Sequence, residues 1–154
     1  MRAAGENGRR DHAKEYDGSV SVDLTAIRGQ PTAVRALLIA ATGRLPLLLE
    51  GPPGVGKSML AQALYGVLPD LVGAERDEVA AIASAGGFDQ RDPNRPPVRA
   101  PHHDLTVAGL IGGGPRLTPG EMTWAHRGLL ILDEIGEYRR DTLEALREIG
   151  RAHV

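Results

Sequence analysis

The sequence predicts an α/β protein whose parallel sheet binds its ligand at the carboxyl ends of the strands. Two short aliphatic runs, 45–50 and 128–132, have the length and composition of buried strands. A glycine-rich loop follows the first run, a pair of acidic residues follows the second, and segments with helical periodicity lie between them. This alternation is typical of parallel sheets, which bind ligands beyond the strand ends.

Periodicity and the residues that start or stop helices define the elements. A first helix is predicted from Pro31 to Gly43, since proline suits the first helical position and glycine the end. The next helix, 58–68, stops before Pro69. The other expected elements are a flexible arm or upstream remnant at 1–18, a helix at 75–84, a loop at 86–101, strands at 98–103 and 128–132, a helical turn at 107–111, and a helix that Asp141 caps with Glu144 in a capping box.

Composition limits the class of protein. The chain has 154 residues, a formal net charge of −2 and no cysteine, which excludes a disulfide framework and a thiolate metal site. Its apolar runs are far shorter than the roughly 20 residues that span a bilayer, and residues 1–10 contain no apolar signal segment. A cytoplasmic protein that does not enter a membrane is therefore expected.

The octapeptide 51–58, Gly-Pro-Pro-Gly-Val-Gly-Lys-Ser, fills every fixed position of the phosphate-binding pattern G-x-x-x-x-G-K-[ST]. Glycines allow backbone N–H groups to turn toward phosphate oxygens, and the following helix directs its positive end at the same anion. Lys57 is expected to contact the outer phosphates, and the Ser58 hydroxyl to bind Mg²⁺. The alternative is an ordinary glycine-rich turn.

The second motif is the apolar run 129–132 followed by Asp133 and Glu134, which has the form of a Walker B strand. Four aliphatic residues predict a strand in the buried middle of a parallel sheet. Asp133 is expected to hold Mg²⁺ together with Ser58, and Glu134 to orient and polarise the attacking water. Alone, the acidic pair would indicate only a solvated turn.

Further blocks carry a resemblance to a known family. They are Ile27-Arg28-Gly29-Gln30, Arg99-Ala100-Pro101-His102-His103, Leu110-Ile111-Gly112-Gly113-Gly114, Pro119-Gly120-Glu121-Met122, Ala125-His126-Arg127-Gly128 and Leu132-Asp133-Glu134-Ile135. With the two motifs, and over about 23–147, the chain resembles the magnesium-chelatase group of AAA+ ATPases, especially its ComM/YifB branch. The blocks at 100–103 and 119–128 distinguish this group from other AAA+ ATPases, since generic AAA+ proteins lack both.

This resemblance implies ATP and Mg²⁺ as cofactors, with 27–30 lying against the adenine. It also implies a ring, homo-hexameric in the full-length protein, that acts on DNA and has 100–103 and 112–114 near its central pore. Lys57 and Glu134 would be catalytic, while Ser58 and Asp133 would bind the metal. The implied nucleotide-binding residues are Ile27, Gly29, Gln30, Gly51, Pro52, Pro53, Gly54, Val55, Gly56, Lys57, Ser58 and Met59.

The implied fold is the P-loop NTPase three-layer α/β/α sandwich of AAA+ type, with strand order 5-1-4-3-2. Residues 19–148 would form a partial core, because the fourth and fifth strands, the helical lid and the arginine finger would follow Arg147. Without them, sheet edges are expected to be exposed, and the polypeptide by itself is expected to hydrolyse ATP negligibly and to aggregate.

The last residues suggest a non-native tail. The stretch 148–154 leaves the family pattern and can be back-translated as GAG ATC GGA AGA GCA CAC GTC, which contains a common short-read sequencing adapter. We therefore expect 149–154 to be adapter read-through. The alternative is a divergent natural tail, which long-read sequencing of the source DNA would reveal as a genomic codon run.

Two other functions stay open at this point. One is a chelatase motor subunit that drives metal insertion into a porphyrin, and the other is a nucleotide-binding module without turnover. Several residues have two possible roles. His102 and His103 would point to opposite sides of a strand, either as pore residues or as surface residues. Arg139 and Arg140 would contact a neighbour or only solvent, and Trp124 is expected to pack rather than to stack on a base.

Overall fold

The computed structural model describes residues 13–15, 22–87, 92–113 and 117–152. Its strands are β1 (Ala13–Glu15), β2 (Val98–Pro101), β3 (Gly112–Gly113), β4 (Thr118–Pro119) and β5 (Leu129–Leu130). Its helices are α1 (Pro31–Gly43), α2 (Lys57–Val67), α3 (Ala74–Gly86), α4 (Val107–Ile111), α5 (Glu121–Trp124) and α6 (Arg140–Ala152), with 3-10 turns at Leu24–Ala26 and Ile135–Glu137. The chain is thus a mixed α/β protein.

The helices agree with the sequence-based prediction where strong local signals exist. α1 starts at Pro31 and ends at Gly43, and Arg44 beyond it has a left-handed backbone whose N–H bonds the last turn. α2 and α3 lie within one or two residues of the predicted bounds. The predicted helical turn at 107–111 is present as α4. Proline and glycine near helix ends act locally, which explains this agreement.

A three-stranded sheet has the order β1-β2-β5. β2 and β5 are parallel, with Val98 opposite Leu129, and the Leu129 N–H donates to the Pro97 carbonyl oxygen at 2.9 Å. β1 pairs antiparallel with β2, so Ala13–Glu15 form a strand rather than part of a flexible arm. The alternative for 1–18, the remnant of an upstream segment, stays a prediction. Residues 1–12 and 16–21 lie outside the described part of the chain.

The predicted strand at 45–50 does not form. The segment has no strand assignment, and Leu45 and Leu48 are 56% and 72% exposed. Among the described residues, no strand pairs with it on either side. An extended segment without a hydrogen-bonded neighbour is not a strand, however apolar its sequence. For the same reason β5 is shorter than predicted and only half-buried, rather than lying in the buried middle of a sheet.

The predicted capping box at the start of α6 is also absent. The Asp141 carboxylate accepts hydrogen bonds from the Thr142 N–H and from the guanidinium of Arg139. Glu144 instead accepts from Arg140, one helical turn earlier, at 3.1 Å. Two neighbouring arginines therefore take the carboxylates that the sequence pattern assigned to backbone N–H groups.

The core lies between α1 and α2 and under the loops that flank α4. Leu37 on α1, Ala63 on α2 and Leu110 on α4 are fully buried. α1 packs against α2, and the buried residues of α1 include the small Ala40 and Ala41.

Gly128 precedes β5 where a side chain does not fit, since a Cβ there would lie 1.9 Å from the Pro97 carbonyl oxygen. Replacing Gly128 with Ala must separate β2 from β5, and we expect a loss of about 3 kcal/mol in the free energy of unfolding. Gly136→Ala is the control, because nothing lies within 4 Å of a Cβ at Gly136. Denaturant unfolding checks this, and equal stability of the two variants would contradict the close approach.

An exposed ion-pair network joins α3 to the turn before β5. Glu78 accepts from the Arg127 Nε at 2.9 Å and contacts the His126 Nε2 at 3.0 Å. The hydrogen bond from Arg127, followed by that of His126, lowers the pKa of Glu78 from 4.5 to about 2. Because the folded-state pKa is depressed, the ionised Glu78 stabilises the fold above about pH 4.5, and this contribution is lost as the pH falls toward about 2.

Glu78→Gln should therefore lower the melting temperature at neutral pH by a small amount, since the network is exposed. The difference from wild type should shrink as the pH falls from about 4.5 to about 2. Thermal unfolding across this range measures it, with the neighbouring Asp77→Asn on α3 as the control. A difference that stays constant down to the lowest pH would refute the linkage.

Candidate functional site

The glycine-rich loop has the backbone that its sequence requires. Gly54 and Gly56 have φ angles of 81° and 90°, in the left-handed region that favours glycine. α2 begins directly after Gly56, so the N-terminal N–H groups of an 11-residue helix open onto the loop. This arrangement of backbone donors fits a phosphate group.

Lys57, the first residue of α2, bends back over the loop. Its Nζ donates to the carbonyl oxygens of Gly51 and Pro52 at 2.8 and 3.0 Å. These bonds keep the ammonium group at the mouth of the loop, where it is half-buried. The positive charge therefore lies on the same side of the loop as the helix N-terminus.

Ser58 and Asp133 meet across the site, although they are 75 residues apart in sequence. The Ser58 hydroxyl donates to Asp133 Oδ2 at 3.2 Å, and Asp133 Oδ1 accepts from the Glu134 N–H at 3.0 Å. Hydroxyl and carboxylate oxygens are the hard ligands that suit Mg²⁺. Within the described residues, no group of three or more His, Cys, Asp or Glu could hold a metal ion. A Mg²⁺ ion bound by Ser58 and Asp133 would take its other ligands from phosphate oxygens and water.

Glu134 has a strained backbone directly beside this pair. Its φ and ψ are 52° and 50°, a left-handed conformation that non-glycine residues rarely adopt. Its side chain is exposed. Strain of this kind often accompanies functional sites, since the surrounding structure must maintain it.

The predicted adenine segment reaches the loop through one side chain. The amide of Gln30 donates to the Val55 carbonyl oxygen at the loop tip. Gly29 has a φ of 76°, while Ile27 is half-buried and bonded through its N–H to Leu24. Met59 in α2 places its terminal methyl group beside Gly56. Gln30 and Met59 thus both lie beside the loop.

Two buried hydroxyls that the sequence did not single out anchor the acidic segment. The Tyr138 hydroxyl donates to the Pro101 carbonyl oxygen at 2.7 Å, and the Thr142 hydroxyl donates to that of Leu105 at 3.0 Å. Burial, and then the Asp133 carboxylate, raise the pKa of Tyr138 to about 12. Tyr138 therefore remains a neutral donor near the acidic pair at physiological pH. An aromatic residue five positions after Asp133 was the only signal available in the sequence.

A largely buried ion pair holds β2 to the start of α5. Arg99 donates from Nε and from one terminal nitrogen to the two carboxylate oxygens of Glu121, at 2.6 and 3.0 Å, and both side chains are nearly buried. No role for Glu121 could be predicted from its position in the sequence. In the structure, Glu121 is one half of this bidentate pair. Such a pair fixes geometry more than it adds net stability.

The histidine pair lies in a turn rather than on a strand, so the prediction that the rings point to opposite sides is wrong. β2 ends at Pro101, and the rings of His102 and His103 stack with centroids 4.0 Å apart. His102 Nδ1 also lies 3.1 Å from an Asp104 carboxylate oxygen. Arg139 and Arg140 pair with carboxylates of their own helix, Asp141 and Glu144, while Trp124 in α5 is half-buried.

The described helices include none that is both long and apolar enough to cross a bilayer. Among known families, the model described as "Magnesium chelatase, subunit ChlI" matches residues 23–150. This match includes Ile149 and Gly150, the first two residues of the expected adapter tail, which stays a prediction.

Similar curated proteins cover most of the chain. Competence protein ComM of Haemophilus influenzae is 43% identical over 141 residues, 90% of this chain and 28% of ComM. Protein YifB of Escherichia coli is 46% identical over 82% of this chain and 25% of YifB. An uncharacterized protein of Mycobacterium tuberculosis is 50% identical over 82% of this chain and 26% of its own length.

The chain therefore spans about a quarter of the length of these relatives. A more distant relative, Lon protease 2 of Bacillus subtilis, is 33% identical over 72% of this chain and 22% of the protease. Together the matches indicate an ATPase family of AAA+ type. The glycine-rich loop, the Ser58–Asp133 contact and these matches lead to one conclusion: the chain belongs to the magnesium chelatase family, in its ComM- and YifB-like branch.

Proposed function

We propose that this chain carries the ATP and Mg²⁺ site of an AAA+ ATP hydrolase built on the P-loop NTPase three-layer sandwich. The contact of Ser58 with Asp133 at 3.2 Å is the observation that carries the proposal. It joins the end of the phosphate loop to the end of β5, and a shared Mg²⁺ requires both groups at one place. The left-handed glycines and the start of α2 support the same ligand, a nucleotide with several phosphates.

Each residue of the site has a distinct role in this proposal. Backbone N–H groups of the loop bind the phosphate oxygens, and Lys57 exchanges its bonds to the Gly51 and Pro52 carbonyls for the outer phosphates. Ser58 and Asp133 hold Mg²⁺, which when bound supplies positive charge against the transferred phosphoryl group. Glu134 orients and polarises the attacking water. We expect 27–30 to lie against the adenine, as the resemblance implies, and the bond from the Gln30 amide to the loop supports this.

The proposed assembly is a homo-hexameric cytoplasmic ring of the full-length protein that moves DNA. The 43% identity with Competence protein ComM, which extends over 90% of this chain, supports DNA as the client. A chelatase motor is the second candidate, since the matching family is described as magnesium chelatase. A nucleotide-binding module without turnover is the third candidate, because Glu134 directly follows Asp133 and a carboxylate there favours hydrolysis.

An ATPase assay on the full-length protein tests the proposal. Hydrolysis should require Mg²⁺ and should rise when branched or single-stranded DNA is added. Stimulation by a porphyrin with its metal, and none by DNA, would favour the chelatase motor. Nucleotide binding without hydrolysis under either condition would leave only the binding module.

A further inference from the structure

The turn 102–104 is attached to the rest of the protein on both sides by buried hydroxyl groups. The Pro101 carbonyl oxygen, just before the turn, accepts from Tyr138, and the Leu105 carbonyl oxygen, just after it, accepts from Thr142. Tyr138 is 5% exposed and Thr142 is completely buried. The turn itself presents His102 and Asp104 to solvent and closes with a bond from the Leu105 N–H to the His102 carbonyl oxygen.

Tyr138 also ends the segment that contains the acidic pair. This segment, 133–138, is held by short internal bonds: Asp133 accepts from the Glu134 N–H, and the Glu134 carbonyl oxygen accepts from the Glu137 N–H at 2.8 Å. Residues 133–137 are exposed, so Tyr138 is the buried anchor that follows them. These two bonds link Asp133 and Glu134 to the residues that lead directly into Tyr138.

We propose that Tyr138 and Thr142 are positioning residues that couple the 102–104 turn to Asp133 and Glu134, so that a shift of the turn moves the acidic pair. The inference rests on the proposed function, because it assigns regulation to the same nucleotide site. Two bonds to carbonyls on either side of one turn transmit its displacement, whereas a single bond would act only as a pivot. A partner that touches the exposed face of His102 and Asp104 would therefore alter how Asp133 meets Ser58.

The test measures nucleotide affinity of the full-length protein with and without Mg²⁺, using a fluorescent ATP analogue. In Tyr138→Phe and Thr142→Val, the gain in affinity caused by Mg²⁺ should fall roughly tenfold, while the affinity without Mg²⁺ should stay within about twofold of wild type. Thr142→Ser keeps the hydroxyl and should restore the gain. Loss of fold alone would weaken binding equally with and without Mg²⁺.

Two control variants remove a tyrosine and a threonine hydroxyl at other positions. Tyr65→Phe alters a tyrosine whose ring lies under Arg95, and Thr42→Val alters a hydroxyl that bonds Leu38 within its own helix. Both should keep the full effect of Mg²⁺. An unchanged effect in Tyr138→Phe and Thr142→Val, or an equal loss with and without Mg²⁺, would overturn the inference.

Hydrogen exchange in the ligand-free chain separates this inference from the proposed function. In Tyr138→Phe, amides at 134–138 and at 102–105 should exchange faster together, by about tenfold, while those of α1 stay unchanged. Faster exchange confined to one segment, or none, would refute the coupling even if the wild type binds nucleotide. A wild type that binds no nucleotide would refute the proposed function and leave the exchange result to decide the coupling.

Discussion

Glu134→Gln should reduce ATP hydrolysis by the full-length protein by about 10²–10⁴-fold, the usual contribution of a general base. ATP binding should remain, because Glu134 bonds Asp133 through its backbone N–H, and the substitution leaves this bond in place. The substitution keeps size and polarity but removes the charge that polarises water. Its backbone, at φ 52° and ψ 50°, is strained where Glu134 directly follows Asp133, the proposed metal ligand.

Single-turnover hydrolysis and equilibrium ATP binding measure the two effects separately. Glu137→Gln is the matched control, since it makes the same change at an exposed position in the following 3-10 turn. Glu137→Gln should hydrolyse ATP at nearly the wild-type rate. Undiminished turnover in Glu134→Gln would remove this residue from the mechanism.

Local signals in the sequence were sufficient for the helices. Pro31 and Gly43 bound α1 as predicted, and the phosphate loop leads into α2 as its pattern requires. The acidic pair could also be placed opposite the loop, because parallel strands end on the same side of a sheet. The structure indeed brings Asp133 to Ser58, while the metal-binding role of the two residues remains a prediction.

Features that depend on distant partners could not be predicted in this way. The aliphatic run 45–50 has a strand composition, but a strand also needs a hydrogen-bonded neighbour, and none of the described strands supplies one. Ala13–Glu15 gains a partner in β2 despite its polar sequence. Periodicity carries no information about pairing between remote segments.

The hydrogen-bond partners of side chains could not be predicted from the sequence either. Asp141 and Glu144 fit a capping box, yet Arg139 and Arg140 compete successfully for their carboxylates. The anchors of the acidic segment were missed because a single tyrosine and a single threonine have no distinctive spacing. Their role depends on carbonyl oxygens 37 residues earlier in the chain.

Lys57→Met should weaken binding of ATP by about 10–100-fold, the range expected when a charged hydrogen bond is lost. Lys57 reaches across the mouth of the loop, where its Nζ bonds to the carbonyls of Gly51 and Pro52. Methionine keeps the length of the side chain and removes its charge. Lys57→Arg should recover only part of the affinity, because the planar guanidinium does not replace a compact ammonium group in a tight loop.

Titration calorimetry of the full-length protein checks this expectation. Arg76→Met is the control, because it removes one positive charge from α3, where Arg76 bonds Asn94 and not the loop. This control should bind ATP as wild type does. Equal affinities for Lys57→Met and Arg76→Met would show that the lysine does not meet the phosphates.

The central claim is that Ser58 and Asp133 share a divalent ion with a nucleotide, and Mn²⁺ titration followed by electron paramagnetic resonance tests it most directly. In the presence of ADP, the wild-type chain should bind one Mn²⁺ tightly, and Ser58→Ala and Asp133→Asn should each weaken that ion at least tenfold. Asp70→Asn, which alters an exposed carboxylate paired with Arg95, should not. Wild-type Mn²⁺ affinity in Asp133→Asn would contradict the account.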